Sequence, residues 1–282
     1  MEVVGVKDME KVSGFFRGEG GNRLARFMMR LFSIDKVNGV YDRFGSFSGK
    51  EFTSRLLDDI GVSYLVGNAG RLKSLPKGAF IAIANHPYGG LDGIMLIDLL
   101  ARIRPDFRLM VNKLLSAIKS LNNNFISVNP RLEKKESMTT ASIRGIKETI
   151  QSIRNGHPVG FFPSGAVSDF SLHDMCIRDR AWQPGIIHLI QSVKAPVLPV
   201  RFFDTNSRFF YFLGLISWKL RSLRLPSEVF NKKGQNQRIG IGQIISVEEQ
   251  QEYRDPEAFG AFIRNAVYGM PQPSCFIPPY KL

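Results

Sequence analysis

From residue 60 onward, short apolar runs alternate with longer stretches in which apolar residues recur every three or four positions. The runs at 62–66, 79–84, 107–111, 125–128, 158–162, 197–203 and 238–245 predict strands, and the periodic stretches at 91–101, 113–121, 138–153, 185–192 and 256–267 predict helices. Several strand runs are apolar at nearly every position, as expected of strands covered on both faces. The alternation predicts an α/β fold with a mostly parallel central sheet flanked by helices. In such sheets a site lies beyond the carboxyl ends of the strands.

Before residue 60 the pattern is helical. Leu24, Phe27, Met28 and Leu31 fall on one face, with Arg23, Arg26 and Arg30 near one another on a different side. Such a helix suits the interface of an anionic membrane, or it packs on the core with solvated arginines. Both readings stand at this point.

The net charge of +13 calls for an anionic partner: nucleic acid, an anionic membrane surface, or an acidic substrate or carrier. The basic residues are dispersed and form no recognition module, so no nucleic acid is expected. Cys176 and Cys275 have neither framework nor metal spacing and read as reduced thiols. The first residues lack the basic start and apolar core of a secretory signal. The longest apolar run, 209–218, falls far short of the ~18 residues of a span and holds Ser217. A cytoplasmic protein that touches a membrane without crossing it is the expectation.

Three apolar runs end in polar or turning residues: 81–84 at Asn85-His86-Pro87, 159–162 at Pro163-Ser164-Gly165, and 197–203 at Asp204-Thr205-Asn206. If these strands are parallel, the three endings share one edge. His86 and Asp92, separated by a Gly-rich turn, form a minimal base and orienter. The carboxylate fixes the tautomer of the imidazole, whose other nitrogen takes a proton from a hydroxyl. The structural alternative is a loop histidine and an Asp that caps the next helix. Neighbouring Asn85 either holds the loop or binds substrate. His157, His173 and His188 offer no ligand spacing, so no metal is expected. No Gly-x-Ser-x-Gly elbow is present.

Four ordered blocks resemble the lysophospholipid (glycerolipid) acyltransferase superfamily: Asn85-His86 through Asp92, Phe125-Ile126-Ser127-Val128-Asn129-Pro130-Arg131, Phe161-Phe162-Pro163-Ser164-Gly165-Ala166-Val167-Ser168, and Ala195-Pro196-Val197-Leu198-Pro199-Val200. The family usually has four residues between His and Asp, and here there are five. Its third block usually reads Phe-Pro-Glu-Gly-Thr-Arg-Ser, and here Ser164, Ala166 and Val167 replace the Glu, Thr and Arg. That Glu and Arg are associated with a glycerol-phosphate acceptor. The chain is most similar to the bacterial branch that acylates lyso-aminolipids, the ornithine and glycine lipids, whose acceptor carries a fatty-acid hydroxyl. The segments 206–214 and 225–234 look like the same branch.

The resemblance implies residues 61–282 as one acyltransferase domain, preceded over 1–60 by a helical segment suited to membrane contact. It implies transfer of an acyl chain from acyl carrier protein or coenzyme A to a lysolipid hydroxyl, with no metal or bound cofactor. His86 would be the base and Asp92 its orienter. Arg131 stands where the family has a substrate-contacting basic residue. Backbone N–H groups around Ser164, Gly165 and Ala166 would face the oxyanion. Arg178 or Arg180 would hold a carboxylate acceptor, or else form a solvated surface cluster. The aromatic segment from Phe202 to Tyr211 and on to Arg221 lines a lipid groove, dips into the interface, or is core. The place implied is the cytoplasmic face of the inner membrane, without a span. A lysophosphatidate acyltransferase is the alternative. A lysolipid hydrolase and a non-catalytic peripheral membrane protein stand behind it.

Overall fold

The computed structural model describes residues 17–31, 33–128 and 140–282. Among the described residues three helices come first: α1 (Gly18–Leu31), α2 (Ile34–Phe44) and α3 (Gly49–Ile60). Then follow β1 (Ser63–Gly67), β2 (Ile81–Ala84), α4 (Gly90–Leu100), β3 (Arg108–Asn112), β4 (Phe125–Val128), α5 (Thr140–Arg154) and β5 (Val159–Phe161). A small antiparallel hairpin, β6 (Asp169–Ser171) and β7 (Cys176–Arg178), leads to α6 (Pro184–Val193) and β8 (Val197–Phe202). The chain ends with α7 (Arg208–Ile216), α8 (Trp218–Phe230), β9 (Asn236–Ile241), α9 (Val247–Gln251), α10 (Pro256–Tyr268) and β10 (Phe276–Ile277).

The main sheet runs β10-β1-β9-β8-β2-β5-β3-β4, and only the β1–β10 and β8–β9 pairs are antiparallel. The expected α/β architecture with a mostly parallel sheet is therefore present. Alternation along the strands feeds a core on each face. Ile81, Ile83, Val159, Phe161 and Val197 pack with Ile187 and Ile190 of α6 and Phe259 and Ile263 of α10. Ala82, Ala84, Leu198 and Val200 point the other way, onto Phe52 and Leu57 of α3 and Met95 and Leu99 of α4. Helices α2 and α3 thus share the core of the sheet. β2 is buried at every position, which explains a run with no polar residue.

One expected helix is not formed. Residues 113–121 instead fall in two short 3₁₀ turns, Lys113–Ala117 and Lys119–Asn124. Polar side chains tie these turns to backbone elsewhere in the fold: Ser120 Oγ donates to Gly45 O at 2.8 Å and Asn124 Nδ2 to Phe107 O at 2.8 Å, while Ser116 Oγ bonds locally to Lys113 O at 2.6 Å.

The topology settles the question of the shared edge. β2 lies between β5 and β8, parallel to both, with Ile81 opposite Val159 and Val197. The residues that follow these three strands therefore emerge side by side.

Candidate active site

His86 leaves β2 at that edge, and both sides of its backbone are held. Its N–H donates to Asp179 Oδ1 at 3.1 Å, and its carbonyl accepts from Ser168 N at 2.9 Å. The ring stacks on Phe162, centroids 4.1 Å apart and planes at 25°. Nδ1 stands 2.9 Å from Asp92 Oδ2, off the line of a regular hydrogen bond. The His86 side chain is 17% exposed and that of Asp92 is not exposed at all.

Asp92 is the third residue of α4, and its carboxylate folds back to accept the N–H groups of Tyr88 at 2.9 Å and Gly89 at 3.0 Å. It therefore bonds the start of the helix from its third position, rather than as the residue before it, and faces the imidazole at the same time. Gly89 lets the chain turn back, with φ +83°. A Cβ there would meet Leu225 Cδ2 at 2.9 Å and Val167 Cγ2 at 3.3 Å. Burial raises the Asp92 pKa, against the opposing pull of His86 and the two N–H donors. Its Oδ1 is buried without a hydrogen-bond partner.

The third block wraps this turn. Gly165, φ +64°, donates its N–H to Phe162 O at 2.9 Å. Ser164 Oγ donates to Ala166 O at 2.8 Å and receives Ala166 N–H only loosely, at 3.5 Å. Of the N–H groups expected to face an oxyanion, that of Gly165 is thus committed within the turn, and that of Ala166 is only weakly held. Asn85 is committed as well. Its amide donates to Phe202 O at 2.9 Å and accepts from Phe202 N at 2.8 Å, fastening β2 to β8.

Asp179, only 2% exposed, is a site residue that the sequence pattern did not single out. Its carboxylate accepts from His86 N, from Ser168 Oγ at 2.6 Å and from Trp182 Nε1 at 3.3 Å. Its own N–H donates to Tyr268 Oη at 2.8 Å, and its carbonyl accepts from Arg264 Nη2 at 3.0 Å. No local signal distinguishes it from Arg178 and Arg180 beside it, because, apart from Trp182, its partners come from three other segments, at residues 86, 168 and 264–268. An amide at this position cannot accept on both sides. Asp179→Asn is expected to lower stability by about 1–3 kcal/mol. It should also lower turnover more than it alters acceptor affinity. Thermal unfolding together with the split between kcat and KM checks this.

Arg178 pairs with Asp174, and Arg180 with Asp169. Both line a hollow of about 360 Å³ with Asp169, Ser171, Asp179 and Arg264. Arg131 lies outside the described residues. Among the described residues no group of His, Cys, Asp and Glu is arranged to hold a metal ion, and no helix is long and apolar enough to cross a membrane.

A profile of the acyltransferase family matches residues 9–272. The chain belongs to that family. It is similar to a lyso-glycine lipid O-acyltransferase of Bacteroides thetaiotaomicron, 23% identical over 250 residues, which span 86% of this chain and 88% of the relative. A lyso-glycine lipid O-acyltransferase of Phocaeicola vulgatus is 24% identical over 206 residues, 70% of each chain. Among solved structures, the 1-acyl-sn-glycerophosphate (LPA) acyltransferase PlsC of Thermotoga maritima superposes with a TM-score of 0.47 at 14% identity, over 86% of this chain and 89% of that one. In this acyltransferase the first and third blocks meet at one turn, and the strand of the fourth is fastened to them through Asn85.

Proposed function

We propose that the protein is a lysolipid O-acyltransferase that moves an acyl chain from a thioester, on acyl carrier protein or coenzyme A, to the hydroxyl of a lyso-aminolipid. The observation that carries this reading is the buried Asp92 carboxylate 2.9 Å from Nδ1 of a partly exposed histidine at the sheet edge. With Nδ1 facing Asp92, Nε2 is the nitrogen left to take the acceptor proton. The acceptor oxygen attacks the thioester carbonyl, the new C–O bond forms, and the C–S bond breaks. The imidazolium then returns its proton to the leaving sulfur. The loosely held Ala166 N–H is the donor of the third-block turn available to the tetrahedral oxyanion.

Two features favour an acceptor without a glycerol phosphate. Val167 stands where the family usually has an Arg, and its Cγ2 closes the space beside Gly89, 3.3 Å from where a Cβ would stand. The arginines instead gather in the hollow whose wall includes Asp179, the residue that holds His86. Arg178 and Arg180 there, by exchanging their pairing with Asp174 and Asp169, would hold the carboxylate of an amino-acid head group. The relatives named above act on lyso-glycine lipid by name, which agrees with that choice. Helix α1, with Leu24, Phe27 and Leu31 exposed beside Arg23, Arg26 and Arg30, suits an anionic membrane surface at the cytoplasmic face.

The test gives the purified protein acyl-carrier-protein and coenzyme A thioesters with lyso-glycine lipid, lyso-ornithine lipid, lysophosphatidate and lysophosphatidylethanolamine, read by mass spectrometry. Transfer to an aminolipid hydroxyl is expected. Replacing Arg178 and Arg180 together with Ala should raise the KM for a carboxylate-bearing acceptor by about tenfold or more. Transfer to lysophosphatidate alone would overturn the acceptor assignment. Release of free fatty acid regardless of acceptor would make the protein a hydrolase.

A further inference from the structure

Helices α7 and α8 form a tight hairpin joined at Ser217, which ends one helix and begins the other. Its two faces are unlike. On the outer face Phe209, Phe212, Leu215, Ile216, Trp218 and Leu220 are each 39–61% exposed. Phe209, Phe212 and Ile216 recur at helical spacing, so the apolar stripe of α7 points away from the protein. Four basic residues, Arg208, Lys219, Arg221 and Arg224, lie in the hairpin, and no acidic residue occurs before Glu228. Arg224 stacks over Phe209 at 5.4 Å, and Lys219 lies 5.9 Å from the centre of the Trp218 ring.

The inner face holds the catalytic turn. Tyr211 Oη reaches Pro87 O at 3.4 Å, and Leu225 lies against Gly89. Buried Arg221 pairs with Asp169 and donates to the carbonyl of Ser168, the last residue of the third block, at 3.3 Å.

We propose that this hairpin docks the protein on an anionic bilayer, its outer face entering the boundary between head groups and acyl chains. Charge decides the occupant. A second copy placed on this face would set the exposed Arg208 and Lys219 of one copy against those of the other, Arg221 and Arg224 being paired with Asp169 and Glu228. A polar acidic protein would match the cations and leave six large apolar side chains uncovered. A bilayer with anionic head groups matches both. For the acyltransferase reading, on which its purpose rests, docking places the lipid source against the element that holds the His86 turn. The docking itself is measured without turnover.

The test uses phosphatidylcholine vesicles with and without phosphatidylglycerol. Trp182 is 7% exposed and Trp218 is 56%, so Trp218 is the fluorophore that meets lipid. The expected results are co-sedimentation with the anionic vesicles, and quenching of tryptophan emission by brominated lipid that Trp218→Phe removes. The triple variant Phe212→Asp, Ile216→Asp, Trp218→Asp should bind on the order of a hundredfold more weakly, with the melting temperature and oligomeric state of the wild type. Vesicle binding by the folded triple variant equal to that of the wild type overturns the proposal. So does a wild type that ignores anionic vesicles, or one that self-associates through the hairpin instead. Transfer to a detergent-dispersed acceptor is measured alongside. Docking without any transfer would defeat the enzymatic reading and leave the hairpin assignment standing.

Discussion

His86→Ala is expected to abolish acyl transfer in the purified protein and to leave it folded. In the proposed mechanism the ring is the general base, a role that accounts for about 10²–10⁴ in rate. The fold survives because the anchors of this residue are backbone atoms: its N–H on Asp179 and its carbonyl under Ser168 N. The ring adds its stacking on Phe162, which is expected to cost about 0.5–1.5 kcal/mol when lost. Turnover with a good acceptor and a thermal melt of the same sample check both halves. Full activity in a folded Ala variant would sink the mechanism.

Asp92→Asn separates the two roles of that carboxylate. An Asn oxygen can still accept from Tyr88 and Gly89, so the start of α4 stays capped. The negative charge that fixes and balances the imidazole is gone, and turnover should fall on the order of a thousandfold or more. Stability should move the other way. Burial raises the pKa of Asp92, so the folded state holds its proton more tightly than the unfolded chain does. The stabilisation tied to that proton is present at low pH. It is lost as pH rises from the ordinary carboxyl range through the raised value. Asn has no such proton. The variant should therefore gain stability relative to the wild type across that interval and keep the gain above it. Melting curves taken as a function of pH test this. A variant that loses stability near neutrality while keeping turnover would make Asp92 a cap and nothing more.

The parts of this structure written in local pattern are readable from sequence. β2 and β4 are runs with a clear beginning and end, and α4 starts at a glycine-bearing turn with Asp92 in its first turn. His86 and Asp92 are six positions apart, so one glycine-bearing turn brings them together. The 3₁₀ turns after β3 were hidden because their side-chain bonds reach Gly45 and Phe107, which local periodicity cannot reveal. Asp179 was hidden for the same reason. Three charges stand in a row, and only residues 86, 168 and 268 decide that the middle one turns inward. The α7–α8 hairpin was legible as aromatic and basic. Which face looks outward depends on Pro87 and Gly89, more than a hundred residues earlier.

The Asn85 amide spans 117 positions to reach Phe202, and His86 N spans 93 to reach Asp179. Contacts of such separation close late in folding, after the entropy of long loops has been overcome. A chain still emerging from the ribosome can form α4, but β2 has no ladder partner until β5 and β8 have been made. The turn that carries His86 and Asp92 is therefore fastened only once β8 has joined the sheet, and shorter nascent chains lack the assembled site.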